Sequence, residues 1–214
     1  MLILPEVLLM KLKKWELALI FALAVTFLGG AAAAAGQKTQ EELADKLIRL
    51  HVVANSDTGA DQALKLKVRD EILARVGPLL EGVTDREKAA GIIEDKLEEI
   101  TEAAKSVLRA EGCDDAVTAS VVTEDFPTRD YETFRLPAGE YTALRVVIGE
   151  GAGQNWWCVV FPPLCVTAAC DAKEVMKLLT DEEVKLITSD EPEYVIKFKS
   201  IEIAHQLKEL LGLS

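Results

Sequence analysis

The spacing of hydrophobic and polar positions changes several times along the chain, and each change marks an element. Residues Leu47 to Ala54 crowd apolar and β-branched side chains into "LIRLHVVA", which reads as a strand. Asn55, Ser56 and Asp57 end it, because such side chains bond their own backbone in turns. Leu64, Val68, Ile72, Val76 and Leu79 then recur at helical spacing on one stripe. Gly77-Pro78 predicts an end or kink of that helix near Val76. A second helix is expected from "TDRE", with Thr84 capping the free amides and Glu87 reaching back. Ile93, Leu97, Ile100, Ala104 and Leu108 line one face of it, and Gly112 closes it.

After Cys113 the period shortens to two. "AVTASVVT" sets Val117, Ala119 and Val121 against Thr118, Ser120 and Val122, the pattern of a half-buried strand. "EYTALRVVIG" and "NWWCVVF" read as two more strands, and "GEGAGQ" between them predicts an antiparallel hairpin. The residues from Pro162 to Thr180 are weakly patterned. A short helix follows near Asp181 to Ile187, then a strand from Tyr194 to Phe198, then a helix capped by Ser200 and running through Leu211. The polar residues Gln37 to Asp45 read as helical. The expected class is α+β: an antiparallel sheet of about four to five strands, with helices packed mainly on one face.

The front of the chain obeys a different pattern. Lys11, Lys13 and Lys14 precede an apolar run from Trp15 to Leu28, then Gly29-Gly30 and the small residues Ala31 to Ala35. A basic patch, an apolar stretch and an A-x-A-like site form the secretory signal pattern, with Met10 as an alternative start. The same run is long enough to serve as an uncleaved anchor, which takes about 20 apolar residues. Residues 1–35 are therefore expected to be a signal peptide or membrane anchor, and residues 36–214 a single extracytoplasmic α+β domain. The formal net charge of −12 argues against binding nucleic acid or anionic lipid by bulk electrostatics.

Candidate chemistry concentrates in "GQNWWCVVFPPLC". Half of the four cysteines, Cys158 and Cys165, flank Pro162-Pro163 there. Cys158-x₆-Cys165-x₄-Cys170 lacks the short paired spacings of a structural zinc site, and His51 and His205 lie far off in sequence. The alternating glycines of "GEGAGQ" lie between strands, whereas a phosphate loop opens a helix. A thiol hydrolase would use Cys158 as nucleophile, His51 or His205 as base, and Asn155 or Asp57 to orient the imidazole. Against it, Cys158 sits mid-strand in an apolar run, while reactive thiols favour open, electropositive sites. A disulfide suits an exported chain better. Cys158 with Cys165 would close a short loop worth about 2–3 kcal/mol. Cys165 with Cys170, a bond from Cys113, and four free thiols stay open as alternatives. Trp156 and Trp157 are adjacent on a strand and so face opposite sides. One of them is then available to a helix layer or a partner, and Trp is enriched at binding hot spots. "FPTRDY" presents Arg129 beside the aromatic Tyr131.

"KLIRLHVVANSD", "DQALKLKVRDEIL", "FPTRDYETFRLPAGEYTALRVVIGEGAGQNWWCVVFPPLC" and "YVIKFKSIEI" closely resemble the stage II sporulation protein R family of endospore-forming bacteria, from about Leu43 to Leu211. The residues before Met10, Cys113 and Cys170 depart from the family's pattern. The resemblance implies a non-enzymatic intercellular signal, without catalytic residues, cofactor or metal. It would be made in the forespore and exported to the space between forespore and mother-cell membranes. There it would activate a membrane-embedded aspartic protease, the sporulation sigma-E factor processing peptidase. A thiol hydrolase or a structural protein of the forespore envelope is the alternative. Independently of the resemblance, the contact candidates are Asn155, Trp156, Trp157, Arg129 and Tyr131, followed by His51, Asn55 and Asp57.

Overall fold

The computed structural model describes residues 13–131, 134–162 and 178–212. Helix α1 runs unbroken over Lys14–Ala44, so the apolar run and the polar residues after Gln37 form one rod. Its first half exposes Trp15, Leu17, Ile20, Phe21, Leu23 and Phe27, while Leu43 and Ala44 at its end enter the core. Among the described residues no helix is long and apolar enough to cross a membrane. Met10 and Lys11 lie outside the described residues.

Strand β1 (Ile48–Val53) has all six residues buried, which its β-branched, apolar sequence prepares. Helix α2 (Gly59–Leu79) follows, its N-terminus capped by Thr58, which accepts from the Asp61 N–H. The predicted stop near Val76 is not obeyed. Pro78 withholds one N–H within the last turn, and the Leu80 N–H still closes on the carbonyls of Val76 and Gly77. Val68, Ile72 and Val76 are buried as the stripe requires.

The second predicted helix is two. Helix α3 (Arg86–Asp95) is capped by Asp85, which accepts from the Lys88 N–H at 2.8 Å, and not by Thr84. At Lys96 the N–H bonds back to Ile93, three residues away, and the tightened turn redirects the chain into α4 (Leu97–Ala110). The break lets α3 lie on β2 while α4 packs against both α2 and β2.

The sheet itself corrects the purely antiparallel expectation. Strands β2 (Val117–Phe126), β5 (Gly139–Ile148), β1 and β6 (Asn155–Phe161) are ordered β2-β5-β1-β6, with β1 parallel to β5 and the other pairs antiparallel. A separate two-stranded ribbon joins β3 (Arg129–Asp130) to β4 (Arg135–Leu136). The expected hairpin between β5 and β6 does not form, because β1 lies between them. The "GEGAGQ" segment instead passes over the end of β1. There the Ala152 N–H bonds to the Asn55 carbonyl, Gly153 N–H to the Ala54 carbonyl, Glu150 N–H to Asn55 Oδ1 and Gln154 N–H to Asp57 Oδ1. Gly149 has φ +58, and a Cβ on Gly153 would stand 2.3 Å from the Ser56 carbonyl oxygen. The glycines are there so that two backbones can touch.

At the C-terminal end, helix α5 (Asp181–Thr188) starts on a capping box between Thr180 and Glu183. Glu183 is buried and ion-paired with Lys46 at 2.6 Å. Helix α6 (Pro192–Leu210) replaces both the expected strand at Tyr194–Phe198 and the Ser200 cap. Pro192 is pre-shaped for a first helical turn, and Tyr194, Phe198 and Ile201 bury with Leu186 as one helical stripe. The main core joins Leu50, Val52, Leu144 and Val146 of the sheet to Val68, Ile72, Ile93, Ile100, Ala104 and Leu108 of α2–α4. Each such Val, Leu or Ile side chain contributes about 1.5–3 kcal/mol by leaving water.

Candidate functional site

Alternation along β1 sends Leu50 and Val52 toward the helices and Arg49 and His51 to the opposite face. On that face the sheet carries charge and aromatic rings instead of aliphatic packing. Arg49 is fully buried. Its Nε donates to the Cys158 carbonyl at 3.0 Å and its Nη2 to the Tyr131 hydroxyl at 2.9 Å. The guanidinium lies over the rings of Phe126 (4.3 Å) and Tyr141 (5.0 Å), while Nη1 has no acceptor. A buried cation normally needs a partner charge, and here π-faces and neutral oxygens take that place. Burial pushes the Tyr141 hydroxyl above its ordinary value, the charge of Arg49 opposing it.

His51 is the second member. Its Nδ1 meets Glu124 Oε1 at 2.8 Å and its Nε2 meets Asn155 Oδ1 at 2.8 Å. Its ring stacks on Trp157 with centroids 3.8 Å apart. Glu124 belongs to one outer strand, β2, and Asn155 to the other, β6, so the imidazole spans the width of the sheet. Arg145 adds a longer contact to Glu124 at 3.8 Å. Beyond Trp157 stands Arg129 of the ribbon, exposed, with its guanidinium 5.8 Å from the indole. Tyr131 stacks on Phe134 at 4.7 Å and, through Arg49, ties the ribbon to the sheet.

Five sequence-predicted residues are thereby brought together: His51, Asn155, Trp157, Arg129 and Tyr131. Trp156 faces the other way, as strand alternation requires, with its indole over the Arg69 guanidinium of α2 at 4.3 Å. Asn55 and Asp57 lie apart from the cluster and hold the "GEGAGQ" crossing. Next to them Asp61 accepts from Ser56, which together with its other hydrogen bonds keeps its carboxyl below the usual range.

Trp156 and Trp157 flank a groove of about 610 Å³ whose other wall is α2. Lys65 reaches into it from α2, its Nζ donating to Gln62 Oε1 at 2.6 Å and to the Gln154 carbonyl at 2.9 Å. Burial lowers the Lys65 ammonium from its ordinary value, with Asp57 opposing and Arg69 reinforcing that shift.

Cys158 is buried and disulfide-bonded, and its partner lies outside the described residues, as do Cys165 and Cys170. Cys113 is free. Cys158 shares the helix-side face with Trp156, whereas His51 is on the opposite face. His205 sits elsewhere, beside Asp125 at 3.4 Å. The sulfur and the imidazoles of a thiol-enzyme reading are thus not assembled. Among the described residues no cluster of three or more His, Cys, Asp and Glu could hold a metal ion.

Sequence reasoning missed Arg49, Glu124, Phe126, Lys65 and Arg69 as members of the site. The signal for Arg49 was present, since Arg49 and His51 are two apart inside an otherwise apolar strand. Residues 44–171 match the family described as stage II sporulation protein R. Over 132 residues the chain is 39% identical to stage II sporulation protein R of Bacillus subtilis (strain 168), across 60% of this chain and 59% of that protein. The chain thus aligns with less than two thirds of that relative's length. No solved structure matches it. Every residue of the cluster falls within the matched segment, whereas α5 and α6 fall beyond it.

Proposed function

The chain belongs to the stage II sporulation protein R family and has a role in sporulation, and from that premise we propose that it is an exported signal. In this reading it leaves the forespore, enters the space between the two cells' membranes, and activates the sporulation sigma-E factor processing peptidase, a membrane aspartic protease. The precursor of the sigma-E factor is then cleaved in the mother cell. The observation that carries the reading is the edge of the sheet, where Asn155, Trp156 and Trp157 stand beside Arg129 around an open groove. Indole and guanidinium groups on a rigid strand are the usual anchors of a protein interface. Two further features support it. Cys158 is held in a disulfide, which suits a compartment outside the cytoplasm. The first half of α1 exposes a row of large apolar side chains, which suits a leader or an anchor.

Mechanistically the domain has no need to do chemistry. A bound protein shifts an equilibrium by its difference in affinity for the two states. If this domain binds the active arrangement of the protease more tightly, activation follows from docking alone. The test is co-expression with the protease and its sigma precursor, using the chain with and without residues 1–35. Processing that is lost only when the leader is removed supports both the address and the role. A chain that never stimulates precursor cleavage in either form sinks the signalling reading and favours a structural role in the envelope.

A further inference from the structure

Building on the signalling reading, we propose that the groove between α2 and β6 receives a carboxylate-bearing segment of the protein partner, held by Arg129 and Lys65 along the edge strand that carries Trp156 and Trp157.

The argument begins with sign. The chain carries 36 acidic against 24 basic residues, so an average surface groove should be lined with carboxylates. The grooves elsewhere are. Glu41, Asp45, Asp125 and Glu140 line the larger one, of about 750 Å³, between α1 and α6, together with Arg86 and Lys208. Glu87 and Glu94 line another, beside β2, with Arg86, and Asp130 and Asp190 line a third with Arg135 and Lys199. The groove at β6 has Lys65 and Arg129 and, among the described residues, no Asp or Glu at all. A local reversal of sign in an acidic protein marks a place where an incoming anion replaces the missing counter-charge.

The state of the two cations supports this. Lys65 is buried, yet among the described residues its ammonium is bonded only to the neutral oxygens of Gln62 and Gln154, with no ion pair. Arg129 is exposed and rests over Trp157, likewise without an ion pair among the described residues, while its neighbour Asp130 is already paired with Arg135. Among the described residues neither cation has a direct carboxylate partner, Asp57 acting on Lys65 only from a distance. Arg is suited to take a carboxylate in a planar, two-point fashion, and the neighbouring indole of Trp157 shields such a pair from water.

The class of anion follows from the rest of the surface. A nucleic acid or an anionic membrane presents many charges at once and would be repelled by a body of net charge −12. A carboxylate side chain on a folded protein presents one charge to one groove, a geometry that fits a local cationic site.

The experiment uses the full chain in the co-expression assay, reading precursor cleavage, with thermal unfolding of each purified variant as the folding control. Arg129→Glu is expected to lower processing about tenfold or more, and Arg129→Lys to lower it less, since Lys cannot make the two-point pairing. Lys65→Met is expected to lower processing while leaving the Tm unchanged or raised, because it removes a buried unpaired charge. Asp→Lys and Glu→Lys substitutions in the extracytoplasmic loops of the protease are then screened for one that restores processing with Arg129→Glu but not with Asn155→Ala. Normal processing by Arg129→Glu and Lys65→Met, together with loss by Trp157→Ala, overturns the carboxylate and leaves the signalling surface standing. Normal processing by all three variants overturns the groove altogether. Binding of the chain to vesicles rich in phosphatidylglycerol, lost in Arg129→Glu, would assign the groove to a lipid headgroup and also overturn the proposal.

Discussion

The two faces of the sheet are built from alternate residues of the same strands and solve opposite problems. On the helix side, Leu50, Val52, Leu144 and Val146 meet Val68, Ile72 and Ile100, and the interaction is area removed from water. Almost any apolar set of the right volume would serve there. On the other side Arg49 and His51 are as deeply placed, yet each polar atom except Arg49 Nη1 has a named partner. Such a face contributes little net stability, since desolvation offsets the contacts, but it fixes where Tyr131, Trp157 and Asn155 stand. One face holds the fold together, and the other sets positions.

Mutations can break that contrast. The largest effect is expected on the helix side: Ile72→Ala removes a fully buried side chain and should cost about 2–5 kcal/mol by denaturant unfolding. Its activity per folded molecule should stay close to wild type. Next comes Gly153→Ala, whose Cβ would collide with the Ser56 carbonyl and force β1 and the "GEGAGQ" crossing apart. A loss of about 1–3 kcal/mol is expected, measured the same way. Arg49→Met should change stability by only about 1 kcal/mol, because an uncompensated charge leaves as two hydrogen bonds are lost. Precursor processing should nonetheless fall, since the ribbon is no longer tied down at Tyr131. If Arg49→Met proved as costly as Ile72→Ala, the division between the faces would be wrong.

The smallest effect is a pH slope. The Lys65 ammonium is held below its ordinary value in the folded chain, so the unfolded chain binds more protons between that lowered value and the ordinary one. Stability should therefore rise with pH through the alkaline window that ends near the model-peptide value of about 10.4. The Lys65→Met variant should lose that rise, as read from denaturant midpoints across the window. A slope unchanged by the substitution would assign it to other groups.

How much of this was legible in the sequence depended on whether the deciding contact was local. Val68, Ile72 and Val76 announce α2 because a helix places its own residues i and i+4 together. The order of the strands could not be read that way. "GEGAGQ" is short and glycine-rich, which argues for a hairpin when only the two flanking strands are considered. What decides otherwise is Asn55 and Asp57, almost a hundred residues away, which hold the loop across β1. The segment "YVIKF" has strand composition, and it became helical because Tyr194, Phe198 and Ile201 share a buried stripe against Leu186. Within the site, Trp157, Asn155 and Arg129 were visible as residue types. Arg49 carried a signal, two residues from His51 in an apolar run, but it reads as an interruption until the partner rings of Phe126 and Tyr141 are seen around it.

The span of His51 from Glu124 to Asn155 has a mechanical consequence. The two rims of the sheet are not independent, because one imidazole acts as a cross-tie between them. Strain applied at either border is transmitted through a single ring to the opposite one. A change at Glu124, which does not line the groove, should thus reorient the amide of Asn155, and substitutions that look harmless by distance would be felt at the docking edge.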